Sequence, residues 1–189
     1  MSEQEIVAQL RHGDEEAFKK LVTLFQQKVF NTALNFLQNQ HDAEDVAQEV
    51  FIQVYQSIGQ FRENAKLSTW IYRICITKCL DHTRSKKRKK RFAFISSLFS
   101  EKNDLLHDAP DFEHPGVQLD RKEDAAILFK MINGLPESQK TAFLLNKIEG
   151  LSYGEIGQIM HVSESAVDSL LQRARQNLKK KIQEQINSS

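Results

Sequence analysis

Tight-turn residues are nearly missing from most of this chain. No proline precedes Pro110, and no glycine lies between Gly59 and Gly116. Sandwiches and barrels of many short strands need such residues every few positions, so this chain is predicted to be all-α, with long helices. The length of 189 residues leaves room for one medium domain or two small ones. With 40% hydrophobic and 27% charged residues it can build cores, yet no apolar run is long enough to span a membrane. The start, Met1-Ser2-Glu3-Gln4-Glu5, is acidic and polar and reads as lacking a signal peptide. Cys75 and Cys79 cannot make a disulfide framework and fit a reducing, cytoplasmic setting.

Charge is segregated along the chain. Residues 1–60 hold 4 basic and 9 acidic side chains, whereas residues 61–91 hold 11 and 2. Residues 92–125 are acidic again, with 3 basic and 8 acidic, and residues 126–189 carry 8 and 6. Seven of the eight residues from Arg84 to Arg91 are Lys or Arg. Such a block suits a polyanion, because each neutralised phosphate releases condensed counterions. Taken alone, it reads equally well as a localisation or solubility patch.

Apolar spacing divides the chain into three parts. From Glu5 to Phe92 it is helical, beginning with Ile6, Leu10, Ala17, Leu21, Leu24 and Phe25 and continuing through Val29, Ala33 and Leu34. The stripe Ala43, Val46, Ala47, Val50, Phe51, Val54 and Ile58 follows, with breaks at Gly13-Asp14 and Gln38–Asp42 and with Asp42 placed to cap. Gly59 ends this helix, a loop over Arg62–Ser68 follows, and the next helix runs from about Thr69 into the basic block. Residues 93–120 lose all periodicity and are predicted to be a flexible linker, with Phe92, Phe94 and Phe99 free to pack locally or meet a partner. Residues 121–186 become helical again, with stripes Ala125, Leu128, Phe129, Ile132 and then Ala142, Phe143, Leu145. The expected architecture is two small helical domains, 1–92 and 121–186, joined by a flexible linker over 93–120.

The segment Leu151–Arg175 combines a short helix, a three-residue turn and a longer amphipathic helix, which is a helix-turn-helix. Ser152 and Glu155 form a capping box, Gly157 allows close approach, and His161 stands where a left-handed residue is usual. With Ala166, Val167, Leu170, Leu171, Ala174 and Leu178 inward, Ser165, Asp168, Ser169, Gln172, Arg173 and Gln176 face outward at major-groove spacing. Arg175, Lys179, Lys180 and Lys181 follow where the helix would pass phosphates. The bland alternative is an ordinary helical hairpin.

A second signal interleaves Phe61, Trp70 and Tyr72 with Arg62, Lys66, Arg73, Lys78 and Arg84. Aromatic faces beside cations suit unstacked bases, at about 1–3 kcal/mol per stacked base; alternatively Trp70 is simply core. A third is the acidic face of Asp45, Gln48, Glu49 and Ile52. It can be merely solvated, a docking face for a basic partner, or carboxylates around a metal, although the inward Glu-x-x-His pairs of bundle metal sites are missing. Cys75, Cys79 and His82 share a helical face but lack a fourth zinc ligand and read better as buried thiols. No phosphate loop, nucleophile triad or cofactor motif stands out, so no catalytic, metal or cofactor residue is assigned.

The stretches Asp42–Ser57 (DAEDVAQEVFIQVYQS), Phe61–Arg84 (FRENAKLSTWIYRICITKCLDHTR) and Leu135–Leu178 (LPESQKTAFLLNKIEGLSYGEIGQIM, then SESAVDSLLQRARQNL) resemble the extracytoplasmic-function group of bacterial RNA polymerase sigma factors. The resemblance implies a non-enzymatic promoter-specificity factor. Asp45, Gln48, Glu49, Phe51 and Ile52 would dock on the β′ clamp helices of core polymerase. Phe61, Arg62, Asn64, Lys66, Trp70, Arg73, Thr77, Lys78, Arg84, Lys86 and Lys87 would grip the −10 element, duplex and opened strand alike. Ser163, Ser165, Ala166, Ser169, Gln172 and Arg173 would read the −35 element. An anti-sigma partner is also implied, and no membrane contact of the chain's own. Three positions depart from the family pattern. Thr77 stands where Asn is frequent near the captured base, while Asp168 and Leu170 replace frequent basic residues on the −35 helix. The competing readings are a stand-alone helix-turn-helix regulator, which would not need aromatics for opened strands, and, more remotely, a carboxylate-bundle metalloenzyme around Asp42, Glu44, Asp45 and Glu49.

Overall fold

The computed structural model describes residues 2–62, 65–98 and 122–187. Among them the chain is all-α, without a strand. Helix α1 spans Glu3–Arg11, α2 Glu15–Leu37, α3 Gln40–Ser57 and α4 Leu67–Leu98. A single 3-10 turn, Ile58–Gln60, follows α3. The later helices are α5 (Lys122–Asn133), α6 (Glu137–Lys147), α7 (Tyr153–Met160) and α8 (Glu164–Asn187). Two compact units result. Residues 2–61 with α4 from Ile74 onward form one, and Arg62–Arg73 with α5–α8 form the other. No described helix is long and apolar enough to cross a membrane.

In the first unit each helix start has a local cause. Ser2 and Glu5 make a reciprocal capping box on α1, and Asp14 accepts the Ala17 amide at 2.9 Å to open α2. Gln38 ends α2 in the left-handed region at φ 55°, and its side-chain amide donates to Leu34 O and Asn35 O, satisfying two carbonyls of the last turn. The cap of α3 departs from expectation. Asn39, extended at φ −147°, accepts the Asp42 amide at 2.9 Å, so α3 starts three residues earlier and Asp42 is released from capping. The inward stripe is as the spacing predicts, since Ala43, Val46, Val50 and Val54 are all fully buried and α3 packs on α2. Cys75 and Cys79 are buried thiols, and Cys75 Sγ approaches Val29 O at 3.7 Å.

Helix α4 continues to Leu98, six residues into the segment expected to be linker. Residues 92–98 contain neither Gly nor Pro, so nothing in the backbone stops the helix there. Phe92 is exposed; Phe99 and the rest of the expected linker to residue 120 lie outside the described residues, as does the side chain of Phe94.

The second unit packs α6 and α7 against α8. Its core holds Phe129, Ile132, Leu135, Ala142, Leu144, Leu145, Ile156, Ile159, Val167, Leu171, Ala174 and Leu178. Two stripe positions differ from the sequence reading. Leu128 is exposed, and Leu144 takes the buried place expected for Phe143, which is half-buried.

Candidate nucleic-acid interface

The buried stripe of α3 fixes what its other side shows. Asp45, Gln48, Glu49 and Ile52 are exposed together, with Phe51 half-buried at the edge. Ile52 is 56% exposed, an apolar side chain left in water among carboxylates. Beside this face runs α4, and the two helices enclose a groove of about 830 Å³ lined by Asp45, Glu49, Ile52, Lys78, Lys86 and Lys89 among others. Its walls carry opposite charge. Lys78 Nζ lies 3.5 Å from Glu49 Oε2, while Lys86 Nζ and His82 Nε2 reach the two oxygens of Asp42 at 2.8 and 3.2 Å. The zinc reading of Cys75, Cys79 and His82 gains nothing, because His82 turns to Asp42 and both thiols are buried.

Of the residues expected to meet the −10 element, Arg62, Lys66, Arg73, Thr77, Arg84 and Lys87 are exposed. Trp70 and Tyr72 are half-buried, leaving part of each ring accessible. Phe61 departs from the expectation: it is 5% exposed, and its carbonyl accepts from Arg11 Nη2 at 2.7 Å, so its ring serves the core and offers no stacking surface. Lys78 and Lys86 are half-buried and engaged with α3 as above. Asn64 lies outside the described residues. Within the second unit, Lys66 Nζ donates to Glu155 Oε1 at 2.9 Å. That bond, with those from the Ser152 amide and hydroxyl, holds the Glu155 carboxyl down at about 2. An exposed lysine pair of this kind exchanges for a phosphate at little cost.

The helix-turn-helix forms as its motif requires. Ser152 and Glu155 make the reciprocal capping box on α7, and His161 takes the left-handed conformation at φ 57°, ψ 45°. A Cβ built on Gly157 would stand 2.8 Å from Val162 O, so this position tolerates no side chain while the turn keeps its shape. On α8, Val167, Leu171, Ala174 and Leu178 are buried, whereas Ala166 and Leu170 are only half-buried. Ser165, Ser169, Gln172, Arg173 and Gln176 are exposed. Ser163 Oγ accepts the Ala166 amide at 3.2 Å and so caps α8, leaving its hydroxyl partly committed. Asp168 Oδ2 accepts from Gln172 Nε2 at 2.9 Å, which gives the departure at 168 a local partner one turn along α8.

One cluster was not anticipated, the junction of Asp42 with His82 and Lys86. The spacing of His82 and Lys86, one turn apart on α4, was its only trace in the sequence; the partner lies about forty residues earlier, beyond the reach of periodicity.

These features define a two-part, all-helical DNA-binding protein, and comparison with known proteins gives its class. Residues 21–89 match Sigma-70 region 2, and residues 125–178 match Sigma-70, region 4. The chain is 33% identical to the RNA polymerase sigma-H factor of Pseudomonas aeruginosa, over 96% of this chain and 94% of that one. It is also 33% identical to the ECF RNA polymerase sigma-E factor of Haemophilus influenzae, over 97% and 96%. In fold it is similar to CnrH, solved in complex with the cytosolic domain of CnrY, with a TM-score of 0.67 and 21% identity over 94% of this chain and 95% of that one. The chain belongs to the extracytoplasmic-function group of RNA polymerase sigma factors. Its function is to direct core RNA polymerase to promoters, and sigma factors are not themselves enzymes.

Proposed function

We propose that the three faces divide the work of initiation among them. The α3 face of Asp45, Gln48, Glu49 and Ile52, with Phe51 at its edge, docks on the β′ clamp helices. The loop after Arg62 and helix α4 hold the −10 element, with Arg62, Lys66, Arg73, Arg84 and Lys87 on phosphates and Trp70 and Thr77 beside the trapped base. Helix α8 enters the major groove at the −35 element through Ser165, Ser169, Gln172 and Arg173, while Ser163 and Ala166 sit at its entrance. Residues 1–92 are the polymerase and −10 domain, 93–120 the tether and 121–186 the −35 domain. The chain works in the cytoplasm, where an anti-sigma protein holds it in reserve; RpoE of Bartonella quintana, similar in fold, was solved in complex with the anti-sigma factor NepR, which supports a partner of that kind.

The observation that carries this reading is that two separate helices expose two different chemistries. α4 shows cations from Arg73 to Arg91 beside half-open Trp70 and Tyr72, and α8 shows small polar residues and Arg173. A stand-alone regulator needs only the second. Melting then follows from trapping unstacked bases on α4, which offsets the few kcal/mol that unstacking costs.

The test is Arg84→Ala with Lys87→Ala, both on exposed positions. Promoter opening, read by permanganate reactivity of −10 thymines, should fall by about tenfold, while core polymerase binds as before. Loss of two phosphate contacts should also flatten the log–log salt dependence of promoter binding by roughly 1.5 to 2. Unchanged permanganate reactivity and an unchanged slope would remove α4 from the DNA.

A further inference from the structure

Asp42, released from capping α3, is held by two side chains of α4. Its side chain is only 20% exposed, and each oxygen has its own partner: Oδ2 takes Lys86 Nζ at 2.8 Å and Oδ1 faces His82 Nε2 at 3.2 Å. The first is a charge-assisted hydrogen bond, and the second is a close approach that becomes an ion pair when the imidazole is protonated. Two partners one helical turn apart fix both the roll of α4 and its position along α3, which a single ion pair would not do. The roll has a consequence. At about 3.6 residues per turn, Arg84 and Arg91 fall on the side of α4 opposite Lys86 and His82, Arg88 stands at the edge where it also lines the α3–α4 groove, and all three are exposed. Together with Asp81 and Lys87 they line a second, shallow groove of about 540 Å³.

We propose that Asp42 is a positioning residue for promoter opening: it clasps α4 through Lys86 and His82 and thereby aims the arginine stripe Arg84, Arg88 and Arg91 at the DNA backbone. Lys86 is then the partner of Asp42 and not a phosphate contact. The inference rests on the reading of α4 as the −10 element. It goes beyond that reading by tying the polymerase-docking helix to the DNA-gripping helix through one named junction.

Charge exchange tests it with the full-length chain and core polymerase. Asp42→Lys alone sets two ammonium groups against each other, and Lys86→Asp alone sets two carboxylates together. Each should lower permanganate reactivity at the −10 element by about tenfold. Core binding should stay within about twofold, since neither residue lies among the exposed docking positions. The double variant, Asp42→Lys with Lys86→Asp, should recover opening to within about threefold of the wild type by restoring the attraction in reverse. Three results would overturn the clasp: no recovery in the double variant, which makes Lys86 a direct DNA contact; full opening by Asp42→Lys; or a loss of core binding as large as the loss of opening. Failure of the wild-type chain itself to open any promoter with core polymerase would instead strike the reading of α4, so the two failures are distinguishable.

Discussion

Asp45→Arg with Glu49→Arg should abolish assembly with core RNA polymerase. Both side chains are exposed on α3, and the opposite side of the helix carries the buried Val46 and Val50. The substitutions therefore reverse the charge of the proposed docking face without entering the core. Close charge pairs across protein interfaces couple by about 1.5–7 kcal/mol, so reversing two of them should weaken binding by at least about 100-fold. Glu49 also sits 3.5 Å from Lys78, and the double variant loses that surface pair. An exposed pair is worth less than about 1 kcal/mol, so the melting temperature should move by no more than about 5 °C. Fluorescence anisotropy of labelled chain titrated with core enzyme reads the affinity, and a thermal melt confirms the fold. Affinity within threefold of the wild type would take the docking site off α3.

The second large effect is expected at the turn of the helix-turn-helix. Gly157→Val places a branched side chain where a Cβ alone would stand 2.8 Å from Val162 O, a backbone atom at the tip of the turn. Overpacking of this kind costs about 1–3 kcal/mol, and here it is relieved by displacing the turn that sets the angle of α8. Transcription from a promoter dependent on its −35 element should fall at least tenfold, a loss of about 1.4 kcal/mol or more in recognition. Core binding should be unaffected, because the proposed docking face is in the other unit. Gly154→Ala is the control: its Cβ would meet only the Glu164 carboxylate at 3.0 Å, the free end of a flexible side chain that can swing aside. If both variants transcribe alike, the close approach at Gly157 is unimportant for reading DNA.

The sequence was most informative where the cause is local. The breaks at Gly13-Asp14 and before α3, the Ser152–Glu155 box, the left-handed His161 and the buried stripe of α3 are all set by neighbours within one or two turns. It was least informative where the cause is distant. Whether Phe61 stacks on bases or fills a core depends on Arg11, fifty residues away, whose guanidinium holds the Phe61 carbonyl. Lys86 reads as one cation in a basic block until α3 brings Asp42 to it. Composition places the end of α4 near Phe92, where the chain turns acidic and polar, whereas the helix runs on through Leu98, with no Gly or Pro between Phe92 and Leu98. For the candidate site, this means that residue types were legible and their aim was not. Exposure leaves Ile52, Arg84 and Gln172 open to solvent, and it takes Phe61 into the core.

Run-off transcription on fragments of the source genome, with core polymerase and this chain as the only added factor, tests the whole account most directly. Discrete transcripts should appear, their starts sharing two upstream elements at a fixed spacing, and none should form with core enzyme alone or with the Asp45→Arg, Glu49→Arg variant. Transcripts indistinguishable from those of core enzyme alone, together with tight sequence-specific binding of duplex DNA by the isolated chain, would contradict it.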